Sequence, residues 1–411
     1  MDLGTAVFIL LDGFRHDYLS EKDTPFLWEL SKKGSAIVSK TREPFGFQSR
    51  PAYLAGLYPE ESGVCTLFKY SPETSPFKGT GPLSRLEGLP RLRLWIRKRV
   101  ELKTSRLAGP IYRYLHTTAQ VPLTLLPFFD YSEKELPWEM SLVTPTIFDL
   151  IKKTGGESIY VGWPEYSSQY TDETVVSRLC ESLSVKHRFA FVQLGLLDGV
   201  GHTHGPDSVE IKKALKETDS RVRELYSTFE KISGSFVLFI FGDHGMVKVK
   251  EHLPIWSRLR MLPCKLGRDY LVFLDSTTAR FWFFDENSKE PIEGLLKEVG
   301  GGKLLDDADR KTHHIRFNNR EYGDLIFLAH SGNLIHPCFF GVGSDAPRGM
   351  HGYDPDCTEN QGIFILAPDA SKRIRTPEVV DLVDIYATTV SFLGYEVDEM
   401  AHGKNLLADK F

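Results

Sequence analysis

Three stretches of the chain are almost wholly apolar, and each stops abruptly at an aspartate. Ala6–Leu11 runs into Asp12, Phe189–Leu197 into Asp198, and Ser235–Phe241 into Gly242-Asp243-His244-Gly245. Strands that are half exposed alternate apolar and polar residues; continuous apolar runs of this length suit strands buried on both faces of a parallel sheet. Helical spacing and capping residues predict helices over Thr24–Lys33, Pro51–Leu57, Thr146–Lys153, Asp172–Leu183 and Ser208–Lys231, with an amphipathic closing helix over Pro377–Leu393. Shorter strands are predicted at Ala36–Ser39, Ser158–Gly162 and Gly362–Ala367, and a hairpin over Tyr270–Leu274 and Ala279–Phe284. This alternation predicts an α/β fold with a mostly parallel central sheet and helices on both faces. Glycines at 199, 201 and 205 and Pro206 predict a loop from Asp198 onward, at the strand end where open α/β sheets place ligands.

Two regions break the rhythm. Residues 83–140 read as a cap or lid inserted between the two parts of the main domain, 1–82 and 141–411. Arg85–Arg106 carries eight Lys or Arg against two Glu, and Leu107–Trp138 is rich in Leu, Phe, Tyr and Pro. Basic segments with Trp bind anionic interfaces, so peripheral membrane contact through 85–138 is one expectation; a solvated basic helix and an apolar half packed on the main domain is the other. Residues 285–345 read as a small α+β excursion. The net charge of −5 over 411 residues gives no reason to expect a nucleic-acid partner, and no apolar run reaches the roughly 18 residues that span a bilayer. The first strand begins almost at Met1, with no basic region or cleavage site before it, and five scattered cysteines lack CxxC spacing. The expectation is a cytoplasmic protein with free thiols, peripheral at most to the inner membrane face.

Asp198 offers a hard oxygen and His202 a borderline nitrogen, a pairing that suits a divalent ion such as zinc. Alone, the pair reads equally well as an N-capping Asp and a solvated loop His. Asp243-His244 repeats the pairing at a second strand end, Asp12 ends a third, and His351 lies in a glycine-flanked loop, Gly349-Met-His351-Gly-Tyr353. Packing does not readily explain two Asp/His loops at the ends of two buried strands.

With FILLDGFR at 8–15, AGLYPEESGV at 55–64, LLDGVGHTHGPDS at 196–208, FGDHGM at 241–246 and GMHGYDP at 349–355, the chain resembles the alkaline phosphatase superfamily. It is most similar to the type I phosphodiesterase/nucleotide pyrophosphatase branch, with a sulfatase-like Ser49-Arg50. The resemblance implies an alkaline phosphatase-like fold and two divalent metal ions. Asp12, Asp243 and His244 would hold one, and Asp198, His202 and His351 the other, with zinc the expected ion and manganese the alternative. Two such cations clamp a phosphoryl or sulfuryl group. The implied activity is a hydrolase or transferase acting on a small-molecule or lipid-linked phosphate ester, a phosphodiester ahead of a monoester.

One position departs from the family. Its Ser, Thr or modified-Cys nucleophile lies ten residues before the glycine of the Gly-x-Tyr-Pro run, and ten before Gly56 is Gly46. Glycine has no side chain to attack with, so the leading expectation is direct attack by metal-activated water or an acceptor hydroxyl in the space left by Gly46. Gly46, Ser49 and Arg50 are the expected substrate-binding positions. Ser49 is a substitute nucleophile, and Arg50 either a bidentate grip on an anionic oxygen or a structural helix residue. A sulfatase-like or Ser49-dependent phosphohydrolase, and a metal-binding pseudoenzyme that recognises an anionic ligand, are the alternatives.

Overall fold

The computed structural model describes residues 4–33, 36–80, 82, 121–163, 171–232, 235–339, 346–367 and 377–408. Its centre is a seven-stranded sheet: β1 (Thr5–Leu11), β2 (Ile37–Arg42), β3 (Glu157–Val161), β4 (His187–Leu194), β5 (Phe236–Phe241), β6 (Gly362–Ala367) and β7 (Val379–Asp381). The order across it is β7-β2-β6-β5-β1-β4-β3. All pairings are parallel except those of β6, which is antiparallel to both β5 and β2.

The continuous apolar runs follow from this layering. Ala6, Phe8 and Leu10 of β1 point into one core, with Tyr53, Phe148 and Ile385 from helices on that side. Val7, Ile9 and Leu11 point into the opposite core, with Leu27, Val176 and Val222. Phe8 packs among Phe189, Phe191, Phe239 and Phe241, with ring centroids 5.0–5.8 Å apart. Among the described residues the covering helices include α1 (Pro25–Ser31), α2 (Arg50–Ala55), α3 (Ile147–Lys153), α4 (Asp172–Ser182), α5 (Leu196–His204), α6 (Val209–Ile232) and α7 (Leu382–Phe392).

Three expectations change. The stretch after Leu194 is not a loop: Leu196–His204 is a helix, so Asp198 and His202 stand one turn apart on it. The Asp172 carboxylate accepts the Gly195 and Leu196 amides at 2.8 and 3.3 Å, which caps that helix from outside its own sequence. The closing helix is shorter, because Val379–Asp381 joins the sheet as β7, and it is not amphipathic. Residues 382–390 are all buried, since the helix lies between the sheet and the C-terminal segment. The small excursion shares its sheet with the preceding hairpin: 270–274, 278–283, 325–329 and 302–304 form one four-stranded antiparallel sheet.

That second sheet also decides the fate of the insertion's apolar half. Leu123, Leu125, Leu126 and Phe129 are buried against Phe68, Phe273 and Trp282, so they are not a lipid-facing surface. The basic half, Arg85–Arg106, with the membrane contact expected of it, lies outside the described residues. All five cysteines are free thiols.

Candidate metal centre

Adjacent parallel strands end at the same edge of a sheet, and β4, β1 and β5 are adjacent. Leu11 pairs with Leu194 and Leu10 with Phe241, so the residues after these strands emerge side by side. The Asp12 amide donates to the Leu194 carbonyl at 2.9 Å, holding the first aspartate at the end of its strand. β6 runs the other way, so it begins at the edge where its neighbours end. The segment leading into it therefore delivers His351 to the same place.

The six Asp and His residues gather there in two groups. In Asp12, Asp243 and His244, and again in Asp198, His202 and His351, one donor atom from each residue lies within 4.8 Å of the others. His244 Nε2 is 3.2 Å from Asp12 Oδ1 and 3.8 Å from Asp243 Oδ1. His202 Nε2 is 3.1 Å from Asp198 Oδ1, and His351 Nε2 is 3.8 Å from the same oxygen. The two groups touch: the His244 and His351 rings stack with centroids 3.6 Å apart and planes within 2°.

The donors suit a divalent cation on more than composition. His244 Nδ1 donates to the Gly245 carbonyl at 2.8 Å, and His202 Nδ1 to the Gly349 carbonyl at 2.9 Å. Each ring is thereby oriented with Nε2 turned toward carboxylate oxygens, the outer-shell arrangement typical of metal-ligating histidines. The Gly349 carbonyl reaches His202 because residue 349 has no side chain: a Cβ there would lie 2.5 Å from the Gly201 carbonyl oxygen. Asp12 Oδ2 is in turn fixed by Gln193 Nε2 at 2.8 Å.

Buried charges crowd one another in both groups. Burial drives the Asp243 carboxyl up to about 7, with Asp12 and Asp198 adding to the rise and His244 opposing it. Burial also works against charge on Asp198, yet His202 in contact, with His351 and His244 beyond, holds its carboxyl well below the usual range. The His351 imidazole is pushed far down by burial and by His244.

Gly46 and Ser49 lie on the chain between β2 and α2. Gly46 has φ +113°, and a Cβ built on it would sit 2.1 Å from the Cys65 carbonyl oxygen. The position demands glycine, and the space expected beside it is filled by backbone. Ser49, by contrast, is buried just before α2, and its Oγ makes a long hydrogen bond of 3.5 Å to Asp243 Oδ2. Arg50 has its charge matched already: Nη1 is 2.8 Å from Glu133 Oε2 and 3.1 Å from Gln48 Oε1, and the guanidinium lies 4.4 Å over the Trp163 ring.

Two supporting residues carry no motif that the sequence singles out. Glu43 is buried behind the first group, where burial raises its carboxyl to about 8, His244 working against that rise and Asp243 with it. Asn360 Nδ2 donates to Glu43 Oε1 at 2.7 Å, while its Oδ1 accepts the Gly352 and Tyr353 amides at 3.0 and 3.4 Å, which clamps the loop carrying His351. An acid placed directly after a strand is the signal that marks Asp12, and Glu43 after β2 carries it in weaker form, after a short strand of mixed polarity. Asn360 carries no such signal.

Residues 6–354 match the family model described as type I phosphodiesterase/nucleotide pyrophosphatase. The relatives include ectonucleotide pyrophosphatase/phosphodiesterase family member 7 of Rattus norvegicus, 22% identical, with 94% of this chain and 83% of the relative covered. Another is bis(5'-adenosyl)-triphosphatase enpp4 of Mus musculus, 21% identical, with 98% of this chain and 82% of the relative covered. Among solved structures, murine ectonucleotide pyrophosphatase/phosphodiesterase 5, in an inactive Thr-to-Ala form in complex with AMP, superposes with a TM-score of 0.69 at 17% identity, covering 97% of each chain.

Proposed function

The chain belongs to the type I phosphodiesterase/nucleotide pyrophosphatase family, a phosphodiesterase-type hydrolase of alkaline phosphatase-like fold, and from that premise we propose that it cleaves a small-molecule phosphodiester using the Ser49 hydroxyl. Asp12, Asp243 and His244 hold one divalent cation in this reading, and Asp198, His202 and His351 a second. Carboxylate and imidazole donors without thiolates suit zinc first and manganese second. The two cations supply positive charge against the attacking and leaving oxygens.

The Ser49 hydroxyl gives up its proton to solvent as Oγ forms the new bond to phosphorus, the bond to the leaving-group oxygen breaks, and that oxygen takes a proton from solvent. Water then attacks the phosphorus of this seryl phosphodiester and loses a proton to solvent, the bond to Oγ breaks as Oγ regains a proton, and the remaining ester leaves as a phosphomonoester. Two displacements give overall retention at phosphorus, whereas direct attack by water inverts it. One observation carries this choice over direct attack: the Ser49 hydroxyl lies against Asp243, while the side-chain direction of Gly46 is blocked by Cys65. Nucleotide phosphodiesters and pyrophosphates are the substrates to test first, because relatives are named for them and a fold neighbour binds AMP.

Rapid quenching with a phosphorus-labelled nucleotide diester tests the reading. Label is expected on Ser49, and Ser49→Ala is expected to lower kcat by roughly 10³-fold. Unchanged turnover in Ser49→Ala, with no label on the wild type, would return the reaction to direct attack. Faster turnover of a sulfate ester than of any phosphodiester would assign the site to sulfuryl transfer instead.

A further inference from the structure

Away from the metal centre, a second set of cation-binding side chains comes together from three distant parts of the chain. Glu60 and Glu61 lie on the short helix Pro59–Ser62, His314 follows the helix Asp307–Thr312, and His402 belongs to the C-terminal segment. One donor atom from each of Glu60, Glu61 and His314 lies within 4.8 Å of the others, the same spacing that relates the donors of the two groups at the sheet edge. His402 stands beside this group rather than inside it: its Nε2 is 3.2 Å from Glu61 Oε1, while its ring centroid is 6.0 Å from that of His314. Tetrahedral zinc with bonds of about 2.0–2.1 Å separates its ligand atoms by about 3.3 Å, so the His402–Glu61 distance already fits.

The backbone brings these groups together independently of any side-chain attraction. The Glu60 amide donates to the His314 carbonyl at 3.0 Å, and the His402 amide to the Gly56 carbonyl at 2.7 Å. His314 holds a φ of +53°, a conformation rare for a residue with a side chain, and this sets its ring against Glu60, with Nδ1 3.3 Å from Oε1. Tyr58 stacks on the His314 ring at 4.0 Å with planes 8° apart, and lies 5.0 Å from the His402 ring. Glu61 supplies the observation that an ion pair alone leaves unexplained. Its Oε1 meets His402, but its Oε2 is buried with no hydrogen-bond partner among the described residues. A buried carboxylate oxygen without a donor is costly, and a cation between the four groups would satisfy it.

We propose that Glu60, Glu61, His314 and His402 form a further divalent-cation site, with zinc as its ion. With the His402 ring turned in as the fourth donor beside Glu60, Glu61 and His314, two carboxylates and two imidazoles would complete tetrahedral zinc, which leaves no open position for catalysis. The site is structural: it joins the segment after Gly56, the second-sheet region and the C-terminal segment at one point. It does not rest on the catalytic reading, because its ligands are separate from the six at the sheet edge.

Zinc counting on the intact protein tests this. After dialysis against zinc-buffered solution, elemental analysis of the wild type is compared with that of Glu61→Gln/His314→Asn. The wild type is expected to carry one more zinc per chain, whatever the number held at the sheet edge. Equal zinc contents would overturn the proposal. His402→Ala, a milder change, is expected to weaken the extra zinc about tenfold or more while leaving circular dichroism unchanged; it serves if the double variant does not fold. The wild type is also expected to gain a zinc-dependent rise in Tm that His402→Ala lacks. If calcium gives the same rise in both proteins, the imidazoles hold no ion and the proposal fails.

Discussion

The two donor groups at the sheet edge use the same side chains but are built in different ways. Asp12, Asp243 and His244 follow directly from adjacent strands, so sheet register positions them, and as a group they are the more enclosed: the His244 side chain is 6% exposed, Asp243 12% and Asp12 20%. Asp198 and His202 sit four residues apart on a short helix, each 27% exposed, and the third member arrives on a separate loop. Two separate elements, the helix and the loop, must dock correctly for the second group, whereas the first is set by ladder pairing alone. The first group should therefore be the more rigid, and the second the easier to disturb without unfolding the protein.

Substitution of the ligands opposes the two most directly. Asp243→Asn keeps the shape and removes the charge. Activity is expected to fall roughly 10³-fold or more, with at least one metal equivalent lost on elemental analysis. His202→Ala is expected to cost roughly 10²-fold and to be partly restored by excess zinc, because its group is open to exchange. Equal and unrescued losses in both variants would erase the distinction.

Gly349→Ala probes the docking of helix and loop. The added methyl meets the Gly201 carbonyl, so the Gly349 carbonyl must withdraw from His202. Loss of such outer-shell support is expected to weaken metal binding about 10–100-fold in the second group while the first stays filled. Spectroscopic titration with cobalt would resolve the two.

Asn360→Ala removes the clamp on the His351 loop and leaves the Gly352 and Tyr353 amides without their side-chain acceptor. A loss of about 1–3 kcal/mol in denaturant unfolding is expected. If stability is unchanged, the loop is held by His351 alone.

The smallest effect separates site losses from global ones. Asp384 on α7, away from the donors, is raised from 3.8 to about 6 by burial, with the Lys404 amide pulling it down and Asp381 pushing it up. The folded state thus keeps a proton that the unfolded chain has released. This contribution to stability is fully present below about pH 4 and is lost as pH rises through about 6. It amounts to roughly 3 kcal/mol, and Asp384→Asn should flatten the slope of stability between those values. Activity of that variant at fixed metal should follow the wild type.

Much of the fold and of the candidate metal centre is legible in the order of the amino acids. β1, β4 and β5 are buried on both faces, and such strands are written as nearly continuous apolar runs; the first aspartate after each lies at the sheet edge or, for Asp198, within the first turn of the helix that follows. Asp12, Asp198 and Asp243 are visible for that reason. The helix at Leu196–His204 is not, because its glycines favour a loop locally, and the carboxylate that caps it comes from Asp172, more than twenty residues earlier. The insertion's Leu123, Leu125, Leu126 and Phe129 suit a membrane when read alone, because their cover, the sheet around Phe273 and Trp282, lies far along the chain.

Local chemistry is carried by neighbours in sequence, so the chain alone determined its fold class and marked the six Asp and His residues, and glycine at residue 46, as the positions to examine. Which way a side chain faces, and what stands opposite, depends on contacts between segments that the sequence does not order. Only the tertiary structure decided that Gly46 faces Cys65 and Ser49 faces Asp243. It alone brought Glu61 and His402, 341 positions apart, to within 3.2 Å.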